Sequence, residues 1–234
     1  MMAAVDPGSR IVVALDVEDL ETGVALARKL SGRVGWLKVG LELFVREGPR
    51  AVAAIAEHAP VFLDLKLHDI PTTVARSVAS AAALDAGLLT VHASGGPVML
   101  RAAADAAAEA SGGRMRLLAV TVLTSTSDDE LAVMGMDGAE EQVPRLAAVA
   151  VANGIDGLVC APADLTRVRA VVGPDTLVVT PGIRAQASES DDHARAMSAA
   201  AAITTGADLL VIGRPITRAD DPVAAVEAIV ATLV

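Results

Sequence analysis

The sequence predicts an α/β fold, a single (β/α)8 TIM barrel, from the order and composition of its apolar segments. Eight short runs rich in valine, leucine and isoleucine are typical of parallel strands that are buried on both faces. Alanine-rich stretches with helical spacing separate these runs, so that strand and helix alternate eight times. A doubly wound open sheet is the alternative, and it is weakened because no G-x-G-x-x-G motif follows the first run. We expect one catalytic domain over residues 1–234.

The eight predicted strands are apolar runs bounded by turns. In chain order they cover residues 11–16, 35–40, 61–67, 88–93, 116–123, 157–160, 176–181 and 209–213. The intervals between them contain apolar residues that recur three or four positions apart, as on one face of a helix. The predicted helices cover residues 20–30, 49–57, 73–85, 98–110, 143–152, 165–171, 194–205 and 223–233.

The composition argues against several classes of function. A net charge of −10 and a pI of about 4.8 disfavour a general binder of nucleic acid or of anionic membranes. Two phenylalanines, one tryptophan and no tyrosine leave few side chains on which bases could stack. The single cysteine, Cys160, excludes an internal disulfide framework, and we expect it to be buried. No signal peptide or membrane-spanning run is visible, so we expect a cytoplasmic protein.

Four charged residues lie at the ends of three consecutive predicted strands. Asp16 ends the first strand, Lys38 lies in the second, and Asp64 and Lys66 lie in the third. Side chains alternate along a barrel strand, so the leucines of residues 61–67 should face the helices and leave Asp64 and Lys66 inside the barrel. Buried charges are costly unless they are paired. Because the chain has only three lysines, this group favours proton-transfer chemistry over a structural ion pair.

Other polar residues near the strand ends have simpler interpretations. Taken alone, Asp69 is best interpreted as a helix cap, with Pro71 in the first helical turn. His92 ends the fourth strand and could line the site, although a hydrogen-bonded structural role is favoured. Residues 127–130 form a capping box that should start a short helix. The four histidines have no spacing that indicates a metal site.

Glycine and arginine follow the last two predicted strands. Gly182 and Arg184 come after the seventh strand, and Gly213 and Arg214 come after the eighth. Barrels often bind phosphate in these two loops, where glycine permits close backbone approach and arginine offers a forked donor. Two long connections, residues 124–142 and 184–193, should also lie on the catalytic face. Long loops there often act as lids, and ordinary surface loops are equally compatible with the sequence.

The segment from Asp64 to Thr73, D-L-K-L-H-D-I-P-T-T, closely resembles the orotidine 5′-monophosphate decarboxylase family. The resemblance continues in order over nearly the whole chain, through Asp16 and residues 36–40, 91–96, 121–125, 180–184 and 211–215. The D-x-K-x-x-D-I-P-x-T element is highly specific. The shorter D-x-K-x-x-D also occurs in related metal-dependent barrel enzymes.

The resemblance implies decarboxylation of orotidine 5′-monophosphate to uridine 5′-monophosphate and carbon dioxide, the last step of de novo UMP synthesis. It implies no metal and no other cofactor. Lys66 would protonate C6 of the pyrimidine, and Asp64 would lie against the substrate carboxylate. Lys38 and Asp69 would complete an alternating charge tetrad. In this family the aspartate matching Asp69 reaches the partner's site, which implies a homodimer with shared active sites.

The resemblance also implies a set of substrate-binding residues. Asp16 and Lys38 would hold the ribose hydroxyls, and Thr124 would meet the pyrimidine ring. Ile70 and Thr73 would line the neighbouring site of the dimer. The 5′-phosphate would be bound by Arg184, Gly213 and Arg214.

One position departs from the family pattern. The family usually has a glutamine nine residues after the arginine matching Arg184, and this chain has His193 there. An imidazole could donate to the phosphate but would not reproduce the bridging contacts of an amide. We therefore expect weaker or more pH-dependent substrate binding at His193, with the chemistry intact.

Two other functions stay open at this point. One is a metal-dependent sugar-phosphate decarboxylase or aldolase on the same barrel, and Lys38 argues against it because those relatives lack a lysine on the second strand. The other is a non-catalytic nucleotide-binding barrel. It is disfavoured because two of only three lysines occupy the proposed catalytic positions.

Overall fold

A computed structural model of the chain describes residues 6–184 and 197–233, with the backbone alone at residue 184. Its strands are β1 (Ile11–Ala14), β2 (Trp36–Gly40), β3 (Val61–Leu67), β4 (Leu88–His92), β5 (Arg116–Val120), β6 (Gly157–Val159), β7 (Leu177–Pro181), β8 (Ile183–Arg184), β9 (Met197–Ser198) and β10 (Leu209–Ile212). Its α-helices are α1 (Leu20–Leu30), α2 (Leu41–Glu47), α3 (Pro49–Ala56), α4 (Pro71–Ala82), α5 (Gly96–Ser111), α6 (Asp128–Val133), α7 (Ala139–Ala152), α8 (Leu165–Val171), α9 (Ala199–Thr205), α10 (Arg214–Thr217) and α11 (Pro222–Ala231). Short 3-10 helices cover Pro7–Arg10, Ala93–Gly95 and Pro162–Asp164.

Eight parallel strands close into a barrel in the order β1-β10-β7-β6-β5-β4-β3-β2. Helices connect successive strands, which confirms the predicted (β/α)8 fold. The pair β8 and β9 forms a separate two-stranded parallel sheet beyond the end of β7. Because the barrel strands are parallel, all their carboxyl ends open on one face, where barrels of this kind place their active sites.

The apolar side chains form two layers, as the alternation along the strands requires. The smaller layer fills the barrel interior, and its buried members are Val12, Phe62, Leu88, Leu118, Val179 and Leu209. The larger layer lies between the strands and the helices and includes Leu37, Leu63, Leu89, Leu117, Leu158 and Val178. On β3, Phe62 belongs to the inner layer and Leu63 to the outer one. Asp64 and Lys66 therefore follow the inner side of the strand.

Some predicted boundaries are wrong. The connection of residues 124–142 is not a plain loop, because it contains α6, with the predicted capping box at Ser127, and the first turn of α7. The helix predicted over 194–205 begins only at Ala199 among the described residues, since Met197 and Ser198 pair with β8. Helices α2 and α10 were not predicted. Helix α2 begins directly after β2 with no intervening turn, and α10 has only four residues.

A charged clamp closes the barrel at the amino ends of β7 and β10. Asp208 Oδ2 accepts a hydrogen bond from the backbone N–H of Val178 at 2.7 Å and pairs with Arg169 at 2.6 Å. The same guanidinium donates to the carbonyls of Gly206 at 2.8 Å and Thr176 at 2.9 Å. This end of a barrel carries stability rather than chemistry. Among the described residues, no helix is both long and apolar enough to cross a membrane.

Candidate active site

A cavity of about 360 Å³ opens at the carboxyl ends of the barrel strands. One wall carries the four charged side chains predicted from the strand ends, Asp16, Lys38, Asp64 and Lys66. The neighbouring ends of β7 and β10 carry Gly182, Gly213 and Arg214, and Thr124 lies on the rim contributed by the segment after β5. The interior floor is apolar and includes Phe62 and Val159. The structure therefore brings these predicted residues from six different strand ends into one cavity.

The four charged groups form a row of alternating sign. The Lys38 ammonium lies 3.2 Å from Asp16 Oδ1 and 3.4 Å from Asp64 Oδ2. The Lys66 ammonium donates to both carboxylate oxygens of Asp64, at 2.9 Å and 2.8 Å. Asp64 and Lys38 are buried, whereas Asp16 is exposed and Lys66 is partly exposed. Both ends of the row are thus accessible to a ligand, and its middle is buried.

Asp64 is held in its charged form by its neighbours. Burial alone would raise the pKa of this carboxyl, but the charges of Lys38 and Lys66 outweigh burial and lower the pKa below its ordinary value. Hydrogen bonds from Lys66 and Thr90 act in the same direction. The attraction of the two ammonium groups offsets the free-energy cost of burying the ionised carboxylate.

The backbone at Lys66 departs from regular strand geometry. Its φ of +51° lies in the left-handed region, which is rare for a residue with a side chain. Leu63 pairs with Leu89, but Leu67 pairs with Val91, so β3 has two extra residues in this stretch. Thr90 faces that bulge, and the sequence analysis missed it. The only sequence signal was a lone hydroxyl in an otherwise apolar strand run, and threonine there also suits an ordinary strand.

Gly40 is the last residue of the 36–40 segment that resembles the family, and the structure gives it a steric role. A Cβ atom added at Gly40 would lie 3.1 Å from both Asp16 Oδ1 and Lys38 Nζ. Contacts that close would push the paired groups apart. A glycine at the end of β2 therefore leaves room for the Asp16–Lys38 ion pair.

Three predicted residues do not line this cavity. Asp69, Ile70 and Thr73 lie on the exposed surface beyond β3. The interpretation of Asp69 as a helix cap is wrong, because the N-cap of α4 is Ile70 and has no side-chain cap bond. Asp69 Oδ1 instead accepts a hydrogen bond from the neighbouring Ile70 N–H. Two further predicted positions, the side chain of Arg184 and the whole of His193, lie outside the described residues.

Two titratable groups border the site. The half-buried ring of His92 packs 5.5 Å from that of His68 and does not line the cavity. Burial lowers the pKa of His92, and the neighbouring His68 and Lys66 lower it further. Cys160 is 1 % exposed at the cavity wall. Burial and the nearby charge of Asp164 raise the pKa of its thiol to about 12.

A search of residues 6–184 and 197–233 finds no cluster of three histidine, cysteine or acidic side chains that could hold a metal ion. The described cavity is lined by ammonium, carboxylate, hydroxyl and guanidinium groups. An ammonium fixed against a carboxylate can stabilise a developing negative charge and donate a proton to it.

Comparison with known proteins agrees with this geometry. Residues 9–229 match the family model described as orotidine 5′-phosphate decarboxylase / HUMPS family. The orotidine 5′-phosphate decarboxylase of Thermobifida fusca is 50% identical over 226 residues, covering 95% of each chain. The enzyme of that name from Trichlorobacter lovleyi is 47% identical over 230 residues, covering 97% of this chain and 95% of its own.

A solved structure has the same architecture. The crystal structure of orotidine 5′-phosphate decarboxylase from Lactobacillus acidophilus superposes with a TM-score of 0.84 at 38% identity. The match covers 95% of this chain and 98% of that one. The family resemblance stated from the sequence is thereby confirmed, and the full-length relatives support the same enzyme class. The chain belongs to the orotidine 5′-phosphate decarboxylase / HUMPS family.

Proposed function

We propose that this chain decarboxylates orotidine 5′-monophosphate to uridine 5′-monophosphate and carbon dioxide, with no metal or organic cofactor. The observation that carries the proposal is the row Asp16–Lys38–Asp64–Lys66 on one wall of the cavity. The reaction is the last step of UMP biosynthesis, the activity that the family and the named relatives indicate.

In the proposed reaction, the bond between C6 and the carboxyl carbon breaks and its electron pair remains on C6. The carboxylate leaves as carbon dioxide, and a proton from the Lys66 ammonium forms the new C6–H bond. The neutral amine then regains a proton from solvent. No electron sink exists beside C6, so the developing charge must be stabilised by charges that are fixed beforehand.

Asp64 has two functions in this proposal. It fixes the Lys66 ammonium through two short hydrogen bonds, and its charge lies on the side from which the substrate carboxylate is lost. Lys38 neutralises the other side of Asp64 and is held in turn by Asp16. Asp16 and Lys38 are also placed to bind ribose hydroxyls, because both line the cavity beside the charged row.

The ends of β7 and β10 supply the proposed phosphate site. Gly182 follows β7 with a φ of +81°, and Gly213 and Arg214 follow β10. Barrels commonly bind phosphate between these two strand ends. Thr124 on the rim would contact the pyrimidine. Arg184 and His193 are proposed as further phosphate contacts from the sequence alone, and a His193→Gln variant should lower KM or flatten its pH dependence.

We further propose a homodimer in which each protomer completes its partner's site. Asp69, Ile70 and Thr73 are exposed next to the bulged strand β3 rather than turned into their own cavity. Ile70 is 67% exposed, so its apolar side chain is available to contact a partner protomer. In the dimer, Asp69 would add a fifth charge to the neighbouring row, with Ile70 and Thr73 contacting the substrate.

The proposal is tested by the loss of ultraviolet absorbance of orotidine 5′-monophosphate, measured with and without EDTA. We expect turnover that EDTA does not change and that a Lys66→Ala variant abolishes. Lys29→Ala is the matched control, because Lys29 is an exposed lysine of α1 remote from the cavity. Turnover that EDTA removes would indicate a metal-dependent enzyme. Binding of the nucleotide without turnover would indicate a non-catalytic barrel.

A further inference from the structure

Thr90 on β4 joins two parts of the charged row from outside the cavity. Its side chain is fully buried, and it does not line the cavity. Its hydroxyl oxygen lies 2.8 Å from the backbone nitrogen of Lys66 and 2.9 Å from Asp64 Oδ1. A backbone N–H can only donate, so the hydroxyl accepts from Lys66 and donates its own proton to the carboxylate.

The position of Thr90 follows from the bulge in β3. Between paired residues, β3 advances from Leu63 to Leu67 while β4 advances only from Leu89 to Val91. Thr90 is the single β4 residue facing that longer stretch. The bulge takes the N–H of Lys66 out of the regular ladder, and the hydroxyl of Thr90 supplies its hydrogen-bond acceptor.

The same contact supports the unusual backbone of Lys66. A residue with a side chain at φ +51° costs free energy and persists only where its surroundings fix it. From this backbone the Lys66 side chain reaches both carboxylate oxygens of Asp64. Thr90 therefore bonds both the backbone that aims Lys66 and the carboxylate that holds its ammonium.

We propose that Thr90 is a positioning residue for the decarboxylation, fixing the backbone of Lys66 and the rotation of the Asp64 carboxylate through one hydroxyl. The inference rests on the proposed function. Asp64 has ammonium partners on two sides, and without the bond to Thr90 its carboxylate is free to turn toward either of them. Small displacements of a proton donor lower the reaction rate strongly. Gly182, Gly213 and Arg214, the proposed phosphate contacts, do not bond Thr90, so substrate binding there should be unchanged.

The test compares Thr90→Val with Thr90→Ser. Valine has nearly the shape of threonine but leaves the Lys66 N–H and Asp64 Oδ1 without that partner. We expect kcat to fall on the order of 10²-fold in Thr90→Val, with KM changed by less than about threefold. Serine restores the hydroxyl, so Thr90→Ser should keep kcat within about threefold of the parent.

Ser111→Ala is the matched control. Ser111 is also buried, and its hydroxyl also joins two groups, accepting from Met115 N–H and donating to the Ala107 carbonyl. It lies at the end of α5, away from the cavity. We expect Ser111→Ala to lower the melting temperature about as much as Thr90→Val does while leaving kcat unchanged. If Thr90→Val does not fold, Thr90→Cys, with its weak thiol donor, should show an intermediate kcat.

Equal kcat in Thr90→Val and the parent would overturn the inference, as would parallel loss of kcat in Thr90→Ser. A crystal structure of Thr90→Val gives a second readout that does not depend on activity, and we expect a rotated Asp64 carboxylate or a changed φ at Lys66. If the parent chain fails to decarboxylate the nucleotide, the proposed function fails instead. An unchanged site in the variant crystal would then separately remove the positioning role.

Discussion

The ammonium of Lys38 lies 3.4 Å from Oδ2 of Asp64, so a lysine from β2 shares a carboxylate with the lysine of β3. The shared carboxylate is buried, and Lys38 also pairs with Asp16 at 3.2 Å on its other side. Lys38 therefore lies at the centre of the charged row. Its charge lowers the pKa of Asp64, and in the proposed reaction Lys66 is the proton donor.

We expect Lys38→Met to lower kcat by roughly 10²-fold or more, since a preorganised charge is lost. Burial would then be opposed by Lys66 alone, so the pKa of Asp64 should rise. The acidic limb of the rate profile should move to higher pH. The measurement is kcat against pH, with Lys29→Met as the control. An unchanged acidic limb would show that Lys38 does not set the charge of Asp64.

The proposed homodimer with shared active sites predicts complementation between two inactive variants. Lys66→Ala and Asp69→Ala should each be inactive as homodimers. In a mixed dimer, one site carries both changes and the other carries neither, so an equal mixture should recover about a quarter of the parent activity. The measurement is turnover after the two variants are unfolded and refolded together. Activity no greater than the sum of the separately refolded variants would place Asp69 outside the site.

His92 predicts an acid-sensitive contribution to stability. Burial, with help from His68 and Lys66, lowers its pKa below the ordinary 6.5 in the folded chain. The unfolded chain then binds a proton more readily, so this contribution is present above pH 6.5 and is lost as the pH falls toward the folded pKa. We expect His92→Gln to flatten the dependence of melting temperature on pH below 6.5. The same slope in both proteins would contradict this reasoning.

Cys160 should resist alkylation in the folded protein. Its thiol is buried, and its pKa is raised to about 12, so almost no thiolate exists at pH 8. Iodoacetamide should leave the native chain unmodified over hours and should label it once in denaturant, as read by intact mass. Because Cys160 borders the cavity, rapid labelling of the native chain would mean that the wall of the cavity opens readily.

Arg169 should matter for stability and not for turnover. Its guanidinium joins Asp208 to two carbonyls at the amino end of the barrel. We expect Arg169→Ala to lower the free energy of unfolding by roughly 1–3 kcal/mol, with kcat unchanged. Arg167→Ala on the same helix is the control, since its surface pair with Glu140 should contribute about 0–1 kcal/mol. Denaturant titration measures the free energy of unfolding of both variants. Equal decreases would show that the contacts of Arg169 add no more stability than the surface pair of Arg167.

The sequence predicts most of the barrel because its strands are unbroken runs of branched apolar residues. The residues that hold Lys66 in place could not be predicted in the same way. Strand alternation places Asp64 and Lys66 on one side, but it cannot reveal that two extra residues bulge between Leu63 and Leu67. The role of Thr90 cannot be predicted from the sequence for the same reason. Its hydroxyl contacts the Lys66 N–H and the Asp64 carboxylate only because it lies opposite that bulge. Asp69 resembles a helix cap in sequence because Pro71 follows it, but the N-cap of α4 is Ile70.

The charged row and the loops that carry Gly182, Gly213 and Arg214 come from different parts of the chain. The charged row is encoded within the first third, on β1 to β3, and the glycine and arginine loops within the last quarter, after β7 and β10. Neither β2 nor β3 pairs with β7 or β10, so changes on β2 and β3 should leave the distal loops in place. A duplicated copy could acquire a new reaction at β2 and β3 while still accepting phosphorylated compounds. Directed evolution toward another carbanion chemistry should accordingly randomise those two strands and keep the distal loops fixed.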